Sequence, residues 1–129
     1  MARSYLERLA TKTLKMEFPR RGEIWLVSLG PTTGSEIGKT RPALVISNDR
    51  NNQFADTVTV IPITSKTKRI YPFETFLSRQ ETHLPRDSKA KSNQIRTIDK
   101  RRLIKLLAKL SSEKIAEVEQ AILIHLGIS

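Results

Sequence analysis

Eight consecutive residues, Gly34-Ser35-Glu36-Ile37-Gly38-Lys39-Thr40-Arg41, carry a carboxylate, an ammonium and a guanidinium in a loop punctuated by two glycines. The apolar segments Gly22–Leu29 and Pro42–Ser47 flank it, so strands on both sides can hold the loop still. A guanidinium is a planar, permanently charged fork that matches phosphate oxygens, which makes Arg41 a candidate for stabilising charge on a phosphoryl centre. Thr64 ends the apolar run Val58–Ile63 and precedes the basic stretch Ser65-Lys66-Thr67-Lys68-Arg69. Its hydroxyl can donate to a phosphate oxygen, but an unactivated threonine is a poor nucleophile, so orientation and transition-state stabilisation suit it better than covalent catalysis. Each residue also has a plainer use. Arg41 can pair with Glu36 or Asp49, Glu36 can order the loop through Lys39 or Arg41, and a threonine at a strand end can bond the local backbone.

The elements that must hold these groups read as short strands. Ile24–Leu29, Ala43–Ser47 and Val58–Ile63 are β-branched or leucine-rich runs of strand length; Phe73–Leu77 alternates, and Gln94–Ile98 reads as a short fifth strand. Asn48-Asp49-Arg50-Asn51-Asn52 has the side chains of Asx turns. Several short strands at this spacing favour a small barrel over a doubly wound sheet. The C-terminal end is helical: Ser111 caps it, Glu113 suits the first turn, Ile115, Val118, Ile122 and Leu126 share one face, and Gly127 stops it. Leu103, Leu106, Leu107 and Leu110 also have helical spacing. Residues 3–18 form a weak amphipathic pattern, either helix or arm, ended by Pro19.

A length of 129 residues suits one domain with a modest core. No apolar run approaches the roughly 20 residues of a membrane span, and no secretory signal is expected. The absence of cysteine excludes disulfides, zinc–thiolate sites and a thiol nucleophile, and a cytoplasmic setting is expected. No His-rich or paired-acid spacing predicts a metal site or a cofactor. Gly34 and Gly38 lack the Lys-Ser/Thr ending of a nucleotide-binding loop. The formal charge is +10, and it is clustered: six basic against two acidic side chains in residues 1–22, seven against two in residues 86–102. Such clustering favours a polyanionic partner, either nucleic acid or an acidic protein segment, over a merely soluble surface.

Taken together, Arg21-Gly22-Glu23-Ile24-Trp25, Gly34-Ser35-Glu36 through Gly38 to Arg41-Pro42, Val60-Ile61-Pro62-Ile63-Thr64-Ser65, Tyr71-Pro72-Phe73-Glu74 and Asn93-Gln94-Ile95-Arg96-Thr97-Ile98-Asp99 closely resemble the MazF/PemK family of toxin endoribonucleases, in order and spacing. The resemblance runs from about residue 20 to the end. It implies a catalytic unit over 20–129 with residues 1–19 as an extension. The implied fold is mainly β (α+β): a small SH3-like β-barrel of the CcdB/PemK kind with a C-terminal helix. At Leu103–Leu110 the resemblance implies a short turn and a strand, which we prefer to the helical spacing.

The same resemblance implies a metal-independent endoribonuclease that cleaves single-stranded RNA, leaving 2′,3′-cyclic phosphate and 5′-hydroxyl ends. Arg41 and Thr64 match the family's catalytic arginine and threonine. Glu36 matches a glutamate implicated in some members, and whether Glu36 or Arg41 moves the proton stays open, since a guanidinium with a pKa above about 12 is a weak base. Lys39, Lys66, Lys68 and Arg69 are expected along the RNA backbone, with Ser35 and Ser65 beside them, and Gln94 and Arg96 in the substrate groove. Implied partners are a second copy of the chain and an acidic antitoxin of the MazE/PemI kind, with DNA reached only through that antitoxin and no membrane. Trp25, Tyr71 and Phe73 are expected in the core or an interface rather than as stacking platforms. Ser88-Lys89-Ala90-Lys91-Ser92 departs from the family in being more basic, and is expected to widen the RNA track or alter sequence preference.

His83, in a polar loop, and His125, near the last helical turn, match no catalytic position. A gyrase-binding toxin of the same fold lacks the arginine–threonine pair and needs a C-terminal aromatic, whereas this chain ends Leu126-Gly127-Ile128-Ser129. A non-catalytic basic nucleic-acid-binding module would show a broken motif, and none of the motifs here is broken.

Overall fold

The computed structural model describes residues 17–129, so the expectation for residues 3–18 lies almost wholly outside the described residues. Seven strands follow one another: β1 (Glu23–Ser28), β2 (Thr40–Val45), β3 (Thr57–Thr64), β4 (Glu74–Leu77), β5 (Ser88–Lys91), β6 (Arg96–Asp99) and β7 (Leu103–Lys109). Two short helices, α1 (Asp49–Phe54) and α2 (Arg79–Thr82), lie between strands, and a longer one, α3 (Ser112–Leu126), closes the chain. Every strand pair is antiparallel. The sheet runs β4-β5-β3-β2-β1-β7, with β6 also on β3.

β3 makes this sheet curl. Its first half, Thr57–Val60, pairs with β6; its end, Ile63–Thr64, pairs with β5; the opposite edge holds β2. Along β1, β2 and β3 the period-two alternation sends side chains to two covered faces. Trp25, Val27, Ala43, Val45, Val58 and Val60 enter one core with Ile98 and Leu103, and Phe18 packs on it. Ile24, Leu44, Ile61 and Ile63 enter a second with Leu77, Ala90, Leu110, Ile115 and Val118. Burial on both faces explains why these strands read as near-continuous apolar runs rather than clean alternation. The result is a barrel-like, incompletely closed sheet with a helix across one face.

Local chemistry sets the boundaries. Ser111 Oγ accepts the Lys114 amide at 3.2 Å and Gly127 ends α3 at φ 69°, as the sequence predicts. Of the turn and strand expected over Leu103–Leu110, the strand is borne out as β7, whose pairing with β1 overrides the helical leucine spacing; the turn comes earlier, as a 3₁₀ turn over Lys100–Arg102. Three expectations need correction. Asn48 does not open a simple Asx turn but caps α1, its Oδ1 accepting the Asn51 amide at 2.8 Å. Gln94 lies in a 3₁₀ turn (Ser92–Gln94) rather than in the strand expected from it onwards, which starts at Arg96. Ser88–Lys91, read only as a basic stretch, is the interior strand β5 between β3 and β4.

Candidate active site

β2 and β3 pair through Ala43↔Pro62, Leu44↔Ile61 and Val45↔Val60. Carried two residues further, that register sets Arg41, near the start of β2, opposite Thr64, at the end of β3. Both line a cavity of about 340 Å³ that also has Ser65, Arg86 and Ser88 as polar walls, and Pro42, Ile63, Leu84 and Pro85 as apolar ones. Arg41 has no ion-pair partner among the described residues. Its Nε donates to the Gly38 carbonyl at 3.2 Å, which fixes the plane of the fork. Thr64 is buried, and its Oγ1 accepts the Lys66 amide at 3.3 Å, so the hydroxyl proton remains available to donate.

The loop before β2 is held from several directions. Leu29 N–H donates to Lys39 O at 2.8 Å and Lys39 N–H to Gly30 O at 3.2 Å, with Lys39 itself at φ 63°. Gly38 sits so close to the loop's own start that a Cβ there would lie 2.7 Å from Thr32 Oγ1 and 2.8 Å from Gly30 O. The Glu36 carboxylate accepts the Thr33 amide at 2.9 Å, and Asp49 Oδ1 accepts the Arg21 amide at 2.7 Å. Neither acid neutralises Arg41.

Glu36 lines a second cavity, of about 470 Å³, together with Ser35, Asn93, Gln94, Ile95 and Arg96. Gln94 spends its amide on the loop: its Oε1 accepts the Ile37 amide at 2.7 Å, and its Nε2 donates to the Ser35 carbonyl at 3.0 Å. Gln94 lines this cavity, but what its amide grips is the loop. Arg96 is half-buried beside it.

Beyond Thr64, Ser65, Lys66, Lys68 and Arg69 lie along the segment leading to β4, and Lys66, Lys68 and Arg69 reach into the solvent side of it. Arg69 Nη1 donates to Tyr71 Oη at 3.1 Å, and this bond raises the guanidinium pKa above its ordinary value. The segment is anchored by a buried ion pair, Lys89 Nζ to Glu74 Oε1 at 2.8 Å, with Lys91 Nζ 3.9 Å from Glu74 Oε2. Lys89 thus points into a carboxylate rather than out onto an RNA track, which for this residue corrects the expectation that the 88–92 stretch widens that track.

Arg86 escaped the residue-level reading. It follows Leu84-Pro85 in a loop with no motif, and only its share in the charge of residues 86–102 pointed towards it. Its backbone is fixed by neighbours: Ser88 Oγ donates to Arg86 O at 3.0 Å, Asp87 Oδ1 accepts the Arg79 amide at 2.9 Å, and His83 ends α2 at φ 58°. His125 lies in the last turn of α3, 6.5 Å from the Phe73 ring, and neither histidine lines the Arg41 cavity. Among the described residues no cluster of His, Cys, Asp and Glu could hold a metal ion, and no helix is long and apolar enough to cross a membrane.

The site can therefore present two guanidinium groups and a hydroxyl to one small anionic centre. Comparison with known proteins bears on the chain as a whole. Residues 20–126 match the family described as PemK-like, MazF-like toxin of type II toxin-antitoxin system. Endoribonuclease MazF9 of Mycobacterium tuberculosis is 42% identical over 114 residues, covering 84% of this chain and 97% of that protein. The crystal structure of MazF from Deinococcus radiodurans superposes with a TM-score of 0.75 at 31% identity, over 87% of this chain and 99% of its own. A MazE-MazF crystal structure from the same organism gives 0.69 at 30% identity, over 86% and 97%. On sequence and fold, the chain belongs to the PemK-like, MazF-like toxins of type II toxin–antitoxin systems.

Proposed function

We propose that this toxin is a sequence-selective, metal-independent endoribonuclease acting on single-stranded RNA, messenger RNA included. The observation that carries the reading is the convergence of Arg41, Thr64 and Arg86 on one cavity, with no carboxylate among the described residues neutralising Arg41. The name of the mycobacterial relative and the MazE-MazF complexes support it. Residues 20–129 are the catalytic unit, and residues 1–19 are an extension to it.

In this reaction the ribose 2′-oxygen attacks the adjacent phosphorus in line. The new 2′-O–P bond closes the cyclic phosphate as the P–O5′ bond breaks, and the proton lost from the 2′-hydroxyl is matched by one gained at the 5′-oxygen. Arg41 holds the non-bridging oxygens as charge builds on them, and Thr64 donates its hydroxyl proton to the same group; fixed donors of this kind are each worth roughly 10²–10³ in rate. Lys39, Lys66, Lys68 and Arg69 follow the RNA backbone from the two loops, with Ser35, Ser65 and Arg96 at its edges. Gln94 contributes by holding the Ser35–Ile37 backbone. Glu36 shapes that loop through the Thr33 amide and does not itself take the proton. The chain works as a homodimer in the cytoplasm, and an acidic antitoxin of the MazE kind covers the basic groove, as the +10 charge favours.

The deciding experiment incubates purified protein with a long single-stranded RNA in EDTA and maps the ends, with Arg41→Ala and Glu36→Gln alongside. Discrete cuts with cyclic-phosphate ends, lost in Arg41→Ala, are expected. Glu36→Gln should lower turnover while leaving the shape of its pH profile unchanged; loss of one limb would make Glu36 the proton acceptor. Intact RNA with folded wild-type protein would overturn the ribonuclease reading.

A further inference from the structure

Tyr71 is 42% exposed, against 5% for Trp25, so of the two places the sequence offers it, core or interface, it is not in the core. It is also held unusually firmly for a loop residue. Its ring lies parallel to that of Phe73, centroids 5.3 Å apart and planes within 2°. Its amide donates to Glu74 Oε1 at 2.9 Å, while Lys89 Nζ, bound to the same carboxylate, donates to the Arg69 carbonyl at 2.7 Å. One buried ion pair thus ties the segment Arg69–Tyr71 at both ends. Two cations lie over the ring, the Arg69 guanidinium 5.7 Å and the Lys89 ammonium 5.9 Å from its centroid. Lys89 is also the cross-strand partner of Thr64, and partners across an antiparallel pair share a face of the sheet. The ring therefore lies within one lysine side chain of the strand position that carries Thr64.

A rigid, part-exposed aromatic accompanied by cations, beside a site that takes a phosphodiester, has the composition of a stacking platform for single-stranded nucleic acid. We propose that Tyr71, backed by Phe73, stacks a nucleobase of the RNA next to the nucleotide held by Arg41 and Thr64, with Arg69 on the adjoining phosphate. The proposal rests on the endoribonuclease reading and adds a base-binding subsite to it. An apolar side chain from a protein partner would have no use for the cations beside this aromatic pair, whereas a nucleotide uses both features at once.

The test compares full-length wild type with Tyr71→Leu, Tyr71→Phe and Tyr71→Trp on a single-stranded oligonucleotide containing one mapped cut. Tyr71→Leu should raise KM about tenfold, the scale of losing one base–aromatic stack, with kcat within about twofold. Tyr71→Phe and Tyr71→Trp should keep KM near wild type, which a role in packing by size or by the hydroxyl would not reproduce. The fluorescence gained in Tyr71→Trp should also be quenched saturably by the same oligonucleotide carrying a 2′-deoxy sugar at the cut, over the steady signal of buried Trp25. An unchanged KM in Tyr71→Leu, or fluorescence of Tyr71→Trp indifferent to RNA that this variant still cuts, overturns the platform while leaving the ribonuclease reading intact. Should Tyr71→Leu fail to fold, the quenching arm alone decides. Wild type that cuts no RNA overturns both.

Discussion

Arg86 is the residue that most changes the picture drawn from sequence. Arg41 and Thr64 stand in motifs; Arg86 enters the same cavity from a loop that carries no motif, held by Ser88, Asp87 and the left-handed His83. A second guanidinium in the cavity suits a phosphoryl group whose charge spreads over two non-bridging oxygens. Arg86→Ala is therefore expected to lower kcat/KM by about tenfold to a hundredfold, with Arg86→Lys recovering part of it, since a point charge replaces a fork. Steady-state kinetics on a mapped oligonucleotide checks this; a wild-type value in Arg86→Ala would return Arg86 to the solvated surface. Glu36 and Gln94 teach the converse. Both line one cavity, yet their hydrogen bonds go to the loop backbone.

Among the elements, β4 and β5 do more than extend the sheet. Their cross-strand neighbours Glu74 and Lys91 join Lys89 in a buried cluster, with Glu74 1% and Lys89 9% exposed at the side chain. Breaking such a pair from one side leaves an uncompensated charge in the interior, at a cost of about 3–5 kcal/mol, whereas removing both charges costs much less. Lys89→Met should accordingly unfold at clearly lower urea than wild type, and Glu74→Gln/Lys89→Met should recover much of the difference. Equal losses in the single and double variants would mean that the pair adds nothing beyond packing. β5 itself was invisible in the sequence because Ser88-Lys89-Ala90-Lys91 has no apolar alternation. Lys89 is buried by a carboxylate from β4 and by a loop, neither of which is close in sequence. β7 shows the opposite case: helical leucine spacing yielded to pairing with β1, since an edge of unpaired amides beside β1 is a stronger constraint than periodicity.

For the whole molecule, charge determines how RNA binding responds to salt. Each phosphate contact on a single strand releases counterions worth about 0.7 in the slope of log K against log salt. Neutralising Lys66, Lys68 and Arg69 together should flatten that slope by about 2 if all three touch phosphates. Affinity measured between low and moderate salt, on RNA with a 2′-deoxy sugar at the cut, gives the number directly; an unchanged slope would move the RNA track off the 65–73 segment. The family, the mostly β fold with its C-terminal helix, the basic partner surface and the pairing of Arg41 with Thr64 were all legible in the chain. Glycine spacing, strand-length apolar runs and caps are local, and local patterns survive in sequence. What only the tertiary structure decided depends on distant segments meeting. Arg86 reaches the cavity because β5 docks on β3; Lys89 is buried because Glu74 faces it; Tyr71 is exposed and rigid because that ion pair holds its loop. A side chain's burial and its partner belong to the packed chain, and neighbours in sequence do not carry them.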